Sequence, residues 1–190
     1  MRLTEVCRFQ RLTDALKAGI EDVEATWHGS YINFNDPDPS MTKTVIRHAA
    51  PADFDDLLEI DRASFPGGVA YDASELSYFM NRVGAETLVA ERDGRVIAFI
   101  ILEVHPIRRT ATIVTLDVRE PHRRAGHGTQ LLERAEDILR DYGVEAYDLQ
   151  VDVTNTGAIG FYRKHGFQKL RTLRRYYANG NDAYLMVKEL

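Results

Sequence analysis

Strand-like and helix-like segments alternate along the chain from residue 44 onward. Runs rich in β-branched and aromatic residues occur at 44–49, 86–104, 110–118 and 146–153, and two more, 168–177 and 182–190, close the chain. Helical patterns lie between them, at 51–65, 72–80, 126–142 and 156–165. The order β-α-α-β-β-β-α-β-α-β-β predicts a mixed α/β sheet in a single domain.

Short local signals mark where several elements begin and end. Asp93-Gly94, between two β-rich runs, predicts a tight hairpin. Asp72 and Glu75 have the spacing of a capping box at the start of the second helix. Gly143 and Gly166 each follow a helical pattern at the position that helix ends favour for glycine.

Residues 1–40 differ from the alternating region. Apolar residues between Leu12 and Val23 allow one amphipathic helix, and NFNDPDPS at 33–40 is typical of a turn or linker. We therefore expect an N-terminal extension over 1–40 and a folded domain over 41–190. Met41 is an alternative translation start, and the sequence leaves both interpretations open.

Composition and charge argue against several function classes. The formal net charge is -5, whereas a general nucleic-acid binder needs a basic face. The chain has no run of about 18 apolar residues that predicts a membrane-spanning helix, and its charged N-terminus lacks the apolar core of a signal peptide. Because Cys7 is the single cysteine, we expect neither disulfides nor a metal cluster. The expectation is a cytoplasmic monomer or homodimer without a metal, nucleic acid or membrane.

The segment PHRRAGHGTQLL at 121–132 concentrates positive charge and glycine between a strand and a helix. The first backbone N–H groups of a helix lack internal partners, and the helix dipole adds positive charge there. Arg123 and Arg124 add charged donors, while Gly126 and Gly128 let a ligand approach the backbone. The spacing Arg-x-x-Gly-x-Gly therefore predicts a phosphate or pyrophosphate site. A solvated basic turn is the alternative. A Rossmann fingerprint fits less well, because Leu131 stands at its third glycine.

A second motif, LQVDVTNTGAIGFYRKHGF, spans 149–167. Together with the glycine segment it resembles the two cofactor motifs of the GNAT superfamily of acetyl-CoA-dependent N-acetyltransferases. RRYYANGNDAYLMVKEL at 174–190 and SFPGGVAY at 64–71 resemble the substrate segments of RimI-type protein N-terminal acetyltransferases, with Gly67-Gly68 as a short insertion. The resemblance covers about residues 44–190.

This resemblance implies a fold and an activity. The fold would be a mixed, mostly antiparallel sheet, flanked by helices and splayed between its fourth and fifth strands. The activity would be transfer of an acetyl group from acetyl-CoA, without a metal, to the α-amine of a protein or peptide N-terminus, such as that of a ribosomal protein.

The resemblance also assigns roles to the matched positions. Tyr162 would protonate the leaving thiolate, and Asn155 would hydrogen-bond the cofactor. The remaining cofactor contacts would come from the backbone along the pantetheine arm and from the pyrophosphate loop: Leu116, Asp117, Val118, Arg123, Arg124, Ala125, Gly126, His127, Gly128 and Thr129. The acceptor would be held by Phe65, Pro66, Tyr71, Tyr176 and Tyr177.

Several of these residues also have a simpler structural interpretation. Tyr162 has the pattern of a core tyrosine, and Asn155 that of a helix N-cap. His127 has the context of a solvated loop residue. Tyr176 and Tyr177 are typical of adjacent strand residues, which face opposite ways.

The base is the position where the chain departs from the RimI-type pattern. Gln150 stands where that type carries a glutamate, and an amide does not take up a proton. A relay to Asp117, Glu103 or Asp152 is therefore needed. Alternation favours Asp117, because it projects opposite to Leu116 and Val118. For the acid step, a thiol pKa of about 8.5 and a tyrosine pKa of about 10 allow proton transfer from Tyr162.

Amine chemistry favours an N-terminal acceptor. At neutral pH about a tenth of an α-amine is uncharged, but under about a thousandth of a lysine, a gap of about 3.4 kcal/mol. A site without a strong base is therefore better matched to protein N-termini. Two alternatives stay open: a small-molecule or lysine acceptor, and a cofactor-binding regulatory domain without turnover. A dinucleotide-dependent oxidoreductase is a more distant one.

Overall fold

A computed structural model describes residues 43–65 and 69–190 of the chain. The predictions for residues 1–40, Cys7, Met41 and the loop positions Pro66, Gly67 and Gly68 lie outside these residues. No helix within the described ranges is long and apolar enough to cross a membrane.

The strands form one seven-stranded sheet. They are β1 (Val45–His48), β2 (Ala85–Arg92), β3 (Arg95–His105), β4 (Thr110–Val118), β5 (Ala146–Asp152), β6 (Gln168–Leu173) and β7 (Ala183–Glu189). Their order is β1-β2-β3-β4-β5-β7-β6. Neighbouring strands pair antiparallel except β4 and β5, which are parallel. The predicted mixed, mostly antiparallel sheet is confirmed.

The described part of the chain also has four α-helices: α1 (Phe54–Ser64), α2 (Ala73–Asn81), α3 (His127–Asp141) and α4 (Thr156–Lys164). Three short 3-10 helices lie at Pro51–Asp53, Pro106–Arg108 and Glu120–His122. The capping box at α2 is confirmed, since Asp72 Oδ1 accepts from the Glu75 N–H and Glu75 Oε2 from the Asp72 N–H. Asp93 and Gly94 both have positive φ, as a tight hairpin between β2 and β3 requires.

Helices cover both faces of the sheet. Leu131 and Leu139 of α3 and Ile159 of α4 pack on one face, with Ile100 and Leu102 of β3. Leu57 of α1 and Leu76 of α2 pack on the other face, with Phe99 and Ile101. Successive β3 residues alternate between the two clusters, because side chains along a strand point to opposite faces.

The sheet splays between β4 and β5, as predicted. The two strands pair from Thr110 to Ile113 and from Ala146 to Leu149, although both continue beyond the paired stretch. At the same level β4 has a bulge. Ile101 pairs with Thr115 and Leu102 pairs with Ile113, so Val114 is the extra residue without a pairing partner on β3. The diverging strand ends open a gap in the sheet.

Candidate active site

A cleft of about 850 Å³ lies at this gap. Its walls are the diverging ends of β4 and β5, the N-terminal ends of α3 and α4, and the loops that follow α1 and β6. Ala125 is not among its lining residues. The structure brings together the following predicted site residues: Phe65, Tyr71, Leu116, Asp117, Val118, Arg123, Arg124, Gly126, His127, Gly128, Thr129, Gln150, Asn155, Tyr162, Tyr176 and Tyr177.

The glycine loop presents backbone to the cleft. Gly126 is the N-cap of α3, with φ +90° and no side-chain cap hydrogen bond. A Cβ there would meet nothing within 4 Å, so the left-handed backbone alone calls for glycine. Arg123 ties the loop to β4, because its Nε donates to the Val118 carbonyl at 3.0 Å. The uncapped N–H groups at the start of α3 fit a pyrophosphate.

His127 is buried rather than solvated, so the expectation of a solvated loop residue is wrong. It is the first residue of α3, and its ring turns back toward β1, with Nδ1 3.4 Å from Thr44 Oγ1. Nε2 is buried and has no hydrogen-bond partner among the described residues. Burial lowers the pKa of His127, and His122 lowers it further. The imidazole is therefore neutral at physiological pH.

Asn155 and Tyr162 each have a structural contact and also line the cleft. Asn155 Oδ1 accepts from the Ala158 N–H at 3.0 Å and so caps α4. Tyr162 packs edge-on against Phe161 and Phe167 and is 8% exposed. Burial raises the pKa of Tyr162, and the nearby Asp117 raises it further. The phenol is thus held in its protonated form, and its pKa differs more from that of a thiol than the sequence suggests.

Asp117 is buried beside the cleft, on the α1 side of the sheet. The bulge at Val114 sets its direction, since Asp117 pairs with Phe99 of the α1-facing cluster. Leu116 and Val118 pack on the opposite face, as alternation predicts. Burial raises the pKa of Asp117 to about 7, although the hydrogen bond that Thr115 Oγ1 donates at 2.6 Å opposes this rise. Asp117 can therefore exchange a proton near neutral pH.

Asp61 of α1 is a neighbour of Asp117 that the sequence interpretation missed. It is fully buried, and its Oδ2 accepts from the Tyr71 N–H at 2.7 Å. Burial raises its pKa to about 6, and its charge contributes to the raised pKa of Asp117. The available signal was helical spacing, because Asp61 follows the buried Leu57 by four residues.

Tyr176 and Tyr177 lie in the loop after β6, so their prediction as strand residues is wrong. β6 ends at Leu173. Arg175 then takes a left-handed φ of 48°, and Asp182 Oδ1 accepts from its N–H at 2.9 Å. The chain turns there, and the two rings meet edge-on with centroids 5.0 Å apart. Both tyrosines therefore line the cleft instead of facing opposite ways.

Gln150 joins these tyrosines to β5. Its Oε1 accepts from the Tyr176 hydroxyl at 3.2 Å, and its backbone carbonyl from the Tyr177 hydroxyl at 3.3 Å. Its Nε2 donates to Asp148 Oδ1 at 3.2 Å. Asp148 is a second residue that sequence reasoning missed.

The other two candidate bases fit less well. Asp152 lines the cleft, but hydrogen bonds from Asn181 and Thr154 outweigh its burial and lower its pKa. It is therefore a weak base. Glu103 does not line the cleft and pairs with Arg82 at 2.8 Å, and His105 lies beside it. Among the described residues, no group of three or more His, Cys, Asp or Glu side chains could hold a metal ion.

A sequence model of the acetyltransferase (GNAT) family matches residues 54–167. The chain belongs to the GNAT family. An N-alpha-acetyltransferase of Sulfurisphaera tokodaii is 33% identical over 160 residues, which cover 76% of this chain and 92% of that protein. A putative [ribosomal protein bS18]-alanine N-acetyltransferase of Bacillus subtilis is 27% identical over 146 residues, covering 76% and 95%. These matches confirm the predicted family and the enzyme class, an acetyl-CoA-dependent N-acetyltransferase.

Solved structures agree with the family assignment. The crystal structure of Ard1 from Thermoplasma volcanium has a TM-score of 0.71 and 26% sequence identity, covering 77% of this chain and 97% of that one. This chain therefore shares its fold with that structure over 77% of its length.

Proposed function

We propose that this GNAT enzyme transfers the acetyl group of acetyl-CoA to the N-terminal α-amine of a protein or peptide. One observation carries the proposal: the protonated Tyr162 phenol and the Asp117 carboxyl, with its pKa of about 7, line the same cleft where β4 and β5 diverge. The names of the two relatives support an α-amine as the acceptor.

Acetyl-CoA fits along the splayed edge of β4. The backbone of Leu116 to Val118 is free of β5 beyond Ile113 and can pair with the pantetheine arm. The uncapped start of α3 would take the pyrophosphate. In that position the thioester would lie in the cleft that Tyr162 lines.

Asp117 would take the ammonium proton. An α-ammonium has a pKa of about 8, so transfer to a carboxyl with a pKa of about 7 costs about 1.4 kcal/mol. For a lysine with a pKa of about 10.4 the same transfer costs about 4.6 kcal/mol. Asp117 is thus a sufficient base for an N-terminus and a poor one for lysine.

The neutral amine would then attack the thioester carbonyl. A C–N bond forms, the C–S bond breaks, and the thiolate takes a proton from Tyr162. The second amine proton leaves with the collapse of the tetrahedral intermediate and restores the phenol. In balance, one proton ends on the thiol of CoA and the other passes to solvent through Asp117.

The acceptor segment would lie between the loops that carry Tyr71 and Tyr176. A ribosomal-protein N-terminus is the acceptor we favour, because one relative is named for the alanine of such a protein. We propose the cytoplasm as the location, on the ground that the sequence holds a single cysteine.

A matched pair of peptides tests the proposal. One carries a free N-terminal alanine and arginine in place of lysine; the other has the same sequence with a blocked N-terminus and one lysine. We expect CoA release with the first peptide and little with the second. Tyr162→Phe should lower kcat by about 10²- to 10⁴-fold while acetyl-CoA binding, measured by calorimetry, persists. Equal or faster turnover of the blocked peptide would refute the α-amine acceptor.

A further inference from the structure

A chain of hydrogen bonds runs from the cleft to a carboxylate that lies outside its lining. Tyr176 donates to Gln150 Oε1, and Gln150 Nε2 donates to Asp148 Oδ1, each at 3.2 Å. Thr112 Oγ1 of β4 donates to the same Asp148 oxygen at 3.2 Å. Asp148 and Gln150 share one face of β5, since Tyr147, Leu149 and Val151 point into the core.

These hydrogen bonds fix which end of the Gln150 amide faces the cleft. An ionised carboxylate can only accept hydrogen bonds, so it must face the NH₂ group of Gln150. The amide oxygen then points the other way, to Tyr176 and the cleft. An ammonium group can only donate, so an outward-facing oxygen is the end that can hold it.

We propose that Asp148 is a positioning residue, which orients Gln150 so that Oε1 accepts a hydrogen bond from the substrate's α-ammonium group. The proposal rests on the proposed function. Asp148 also supplies one negative charge next to the cleft, two residues along β5 from the amide at position 150. Gln150 is then a recognition group for the cationic amine, and Asp117 takes its proton.

The groups around Asp148 set how its role depends on pH. His105 at the end of β3 and Tyr176 in the loop after β6 face it, Thr112 bonds it, and Val187 of β7 is its pairing partner. Burial raises the pKa of Asp148, and the Thr112 and Gln150 hydrogen bonds and His105 oppose this. A protonated Asp148 gains a donor and loses its charge, so it no longer fixes the amide. Peptide affinity is therefore expected to fall as Asp148 takes up a proton.

The test compares peptide KM, kcat and acetyl-CoA affinity in the full-length wild type and variants. Asp148→Asn removes the charge and offers both a donor and an acceptor, so the amide is no longer oriented. We expect peptide KM to rise about tenfold, with kcat and acetyl-CoA affinity nearly unchanged. The double variant Asp148→Asn/Gln150→Glu restores one negative charge on the same face of β5 and is expected to recover most of the lost peptide affinity. Asp137→Asn, on the exposed side of α3, is the control and should match the wild type.

A double-mutant cycle separates positioning from a general effect on the fold. If Asp148 acts through Gln150, Asp148→Asn should change KM less than about twofold in a Gln150→Ala background. An unchanged KM in Asp148→Asn, or the same rise in both backgrounds, would overturn the proposal. Should Asp148→Asn not fold, Gln150→Ala alone decides, because an unchanged peptide KM would refute Oε1 as the acceptor. A wild type that acetylates no peptide α-amine would instead refute the proposed function.

Discussion

Replacing Asp117 by asparagine is expected to stabilise the fold at neutral pH while it slows catalysis. Asp117 is 4% exposed, and burial raises its pKa from 3.8 to about 7. A shift of about 3 pKa units corresponds to about 4 kcal/mol. The folded state binds this proton more tightly than the unfolded state, so stability falls as pH rises from about 4 to about 7. Asparagine carries no charge, and the variant therefore avoids up to about 4 kcal/mol of this cost above pH 7.

Urea unfolding at about pH 5 and about pH 8 measures this effect. The gain in unfolding free energy for Asp117→Asn should be less than half as large at the lower pH. Asp152→Asn is the matched control on the same cleft. Its hydrogen bonds from Asn181 and Thr154 outweigh burial and lower its pKa, so its charge stabilises the fold above its unfolded pKa and this contribution is lost as pH falls. That variant should be less stable than the wild type at about pH 8, with a smaller deficit at low pH.

Catalysis should move the other way. Loss of the base is expected to lower kcat/KM of Asp117→Asn by about 10²- to 10⁴-fold on a free N-terminal peptide. An Asp117→Asn protein that is no more stable than the wild type at about pH 8 would refute the buried, proton-exchanging carboxyl. So would a stability difference that is the same at both pH values.

Three further predictions concern other parts of the cleft. Asp61→Asn removes the carboxylate that, together with burial, raises the pKa of Asp117, and it keeps an acceptor for the Tyr71 N–H. The acid limb of the plot of kcat/KM against pH should therefore move to lower pH, and an unmoved limb would show that Asp61 and Asp117 do not interact. Gly126→Ala forces a Cβ onto a residue with φ +90°, so it should cost about 1–2 kcal/mol of stability and weaken acetyl-CoA binding. The control Gly160→Ala in α4 should be neutral or stabilising. Thermal unfolding and calorimetry compare the two variants, and equal effects would contradict the reasoning. Burial lowers the pKa of His127, so the folded state, which keeps the ring neutral, loses stability as pH falls below 6.5. His127→Leu should flatten this part of the plot of unfolding free energy against pH, and an unchanged slope would place the ring in solvent.

The sequence predicts the fold well where local patterns agree with the global structure. β4 occupies the predicted residues 110–118, and α3 begins directly after Gly126 and ends before Gly143. Glycine at both ends and an amphipathic repeat between them leave little freedom for this segment. The phosphate site predicted at Arg123, Arg124, Gly126 and Gly128 lies in the same stretch, because an anion site at a helix N-terminus is built from local backbone. The roles of Asn155 and Tyr162 come from the family resemblance instead.

Contacts between the predicted helices and strands explain what sequence reasoning missed. The composition of 168–177 is strand-like, yet the backbone turns at Arg175, held by Asp182. His127 lies in a polar, glycine-rich segment, yet its ring is buried and contacts the distant Thr44. Asp148 meets Thr112 because β4 and β5 pair in parallel, 36 residues apart in the sequence. The contacts of His127 and Asp148 depend on the packing of distant elements, which no local pattern encodes, whereas Arg175 and Asp182 hold a turn within one loop.

Acetyl transfer to a peptide N-terminus is tested most directly with a single peptide that carries both a free N-terminal alanine and an internal lysine. After incubation with the protein and acetyl-CoA, fragment mass spectrometry locates the acetyl group. We predict acetylation of the α-amine in the wild type and its loss in Tyr162→Phe. Acetyl found on lysine alone would contradict the proposed function.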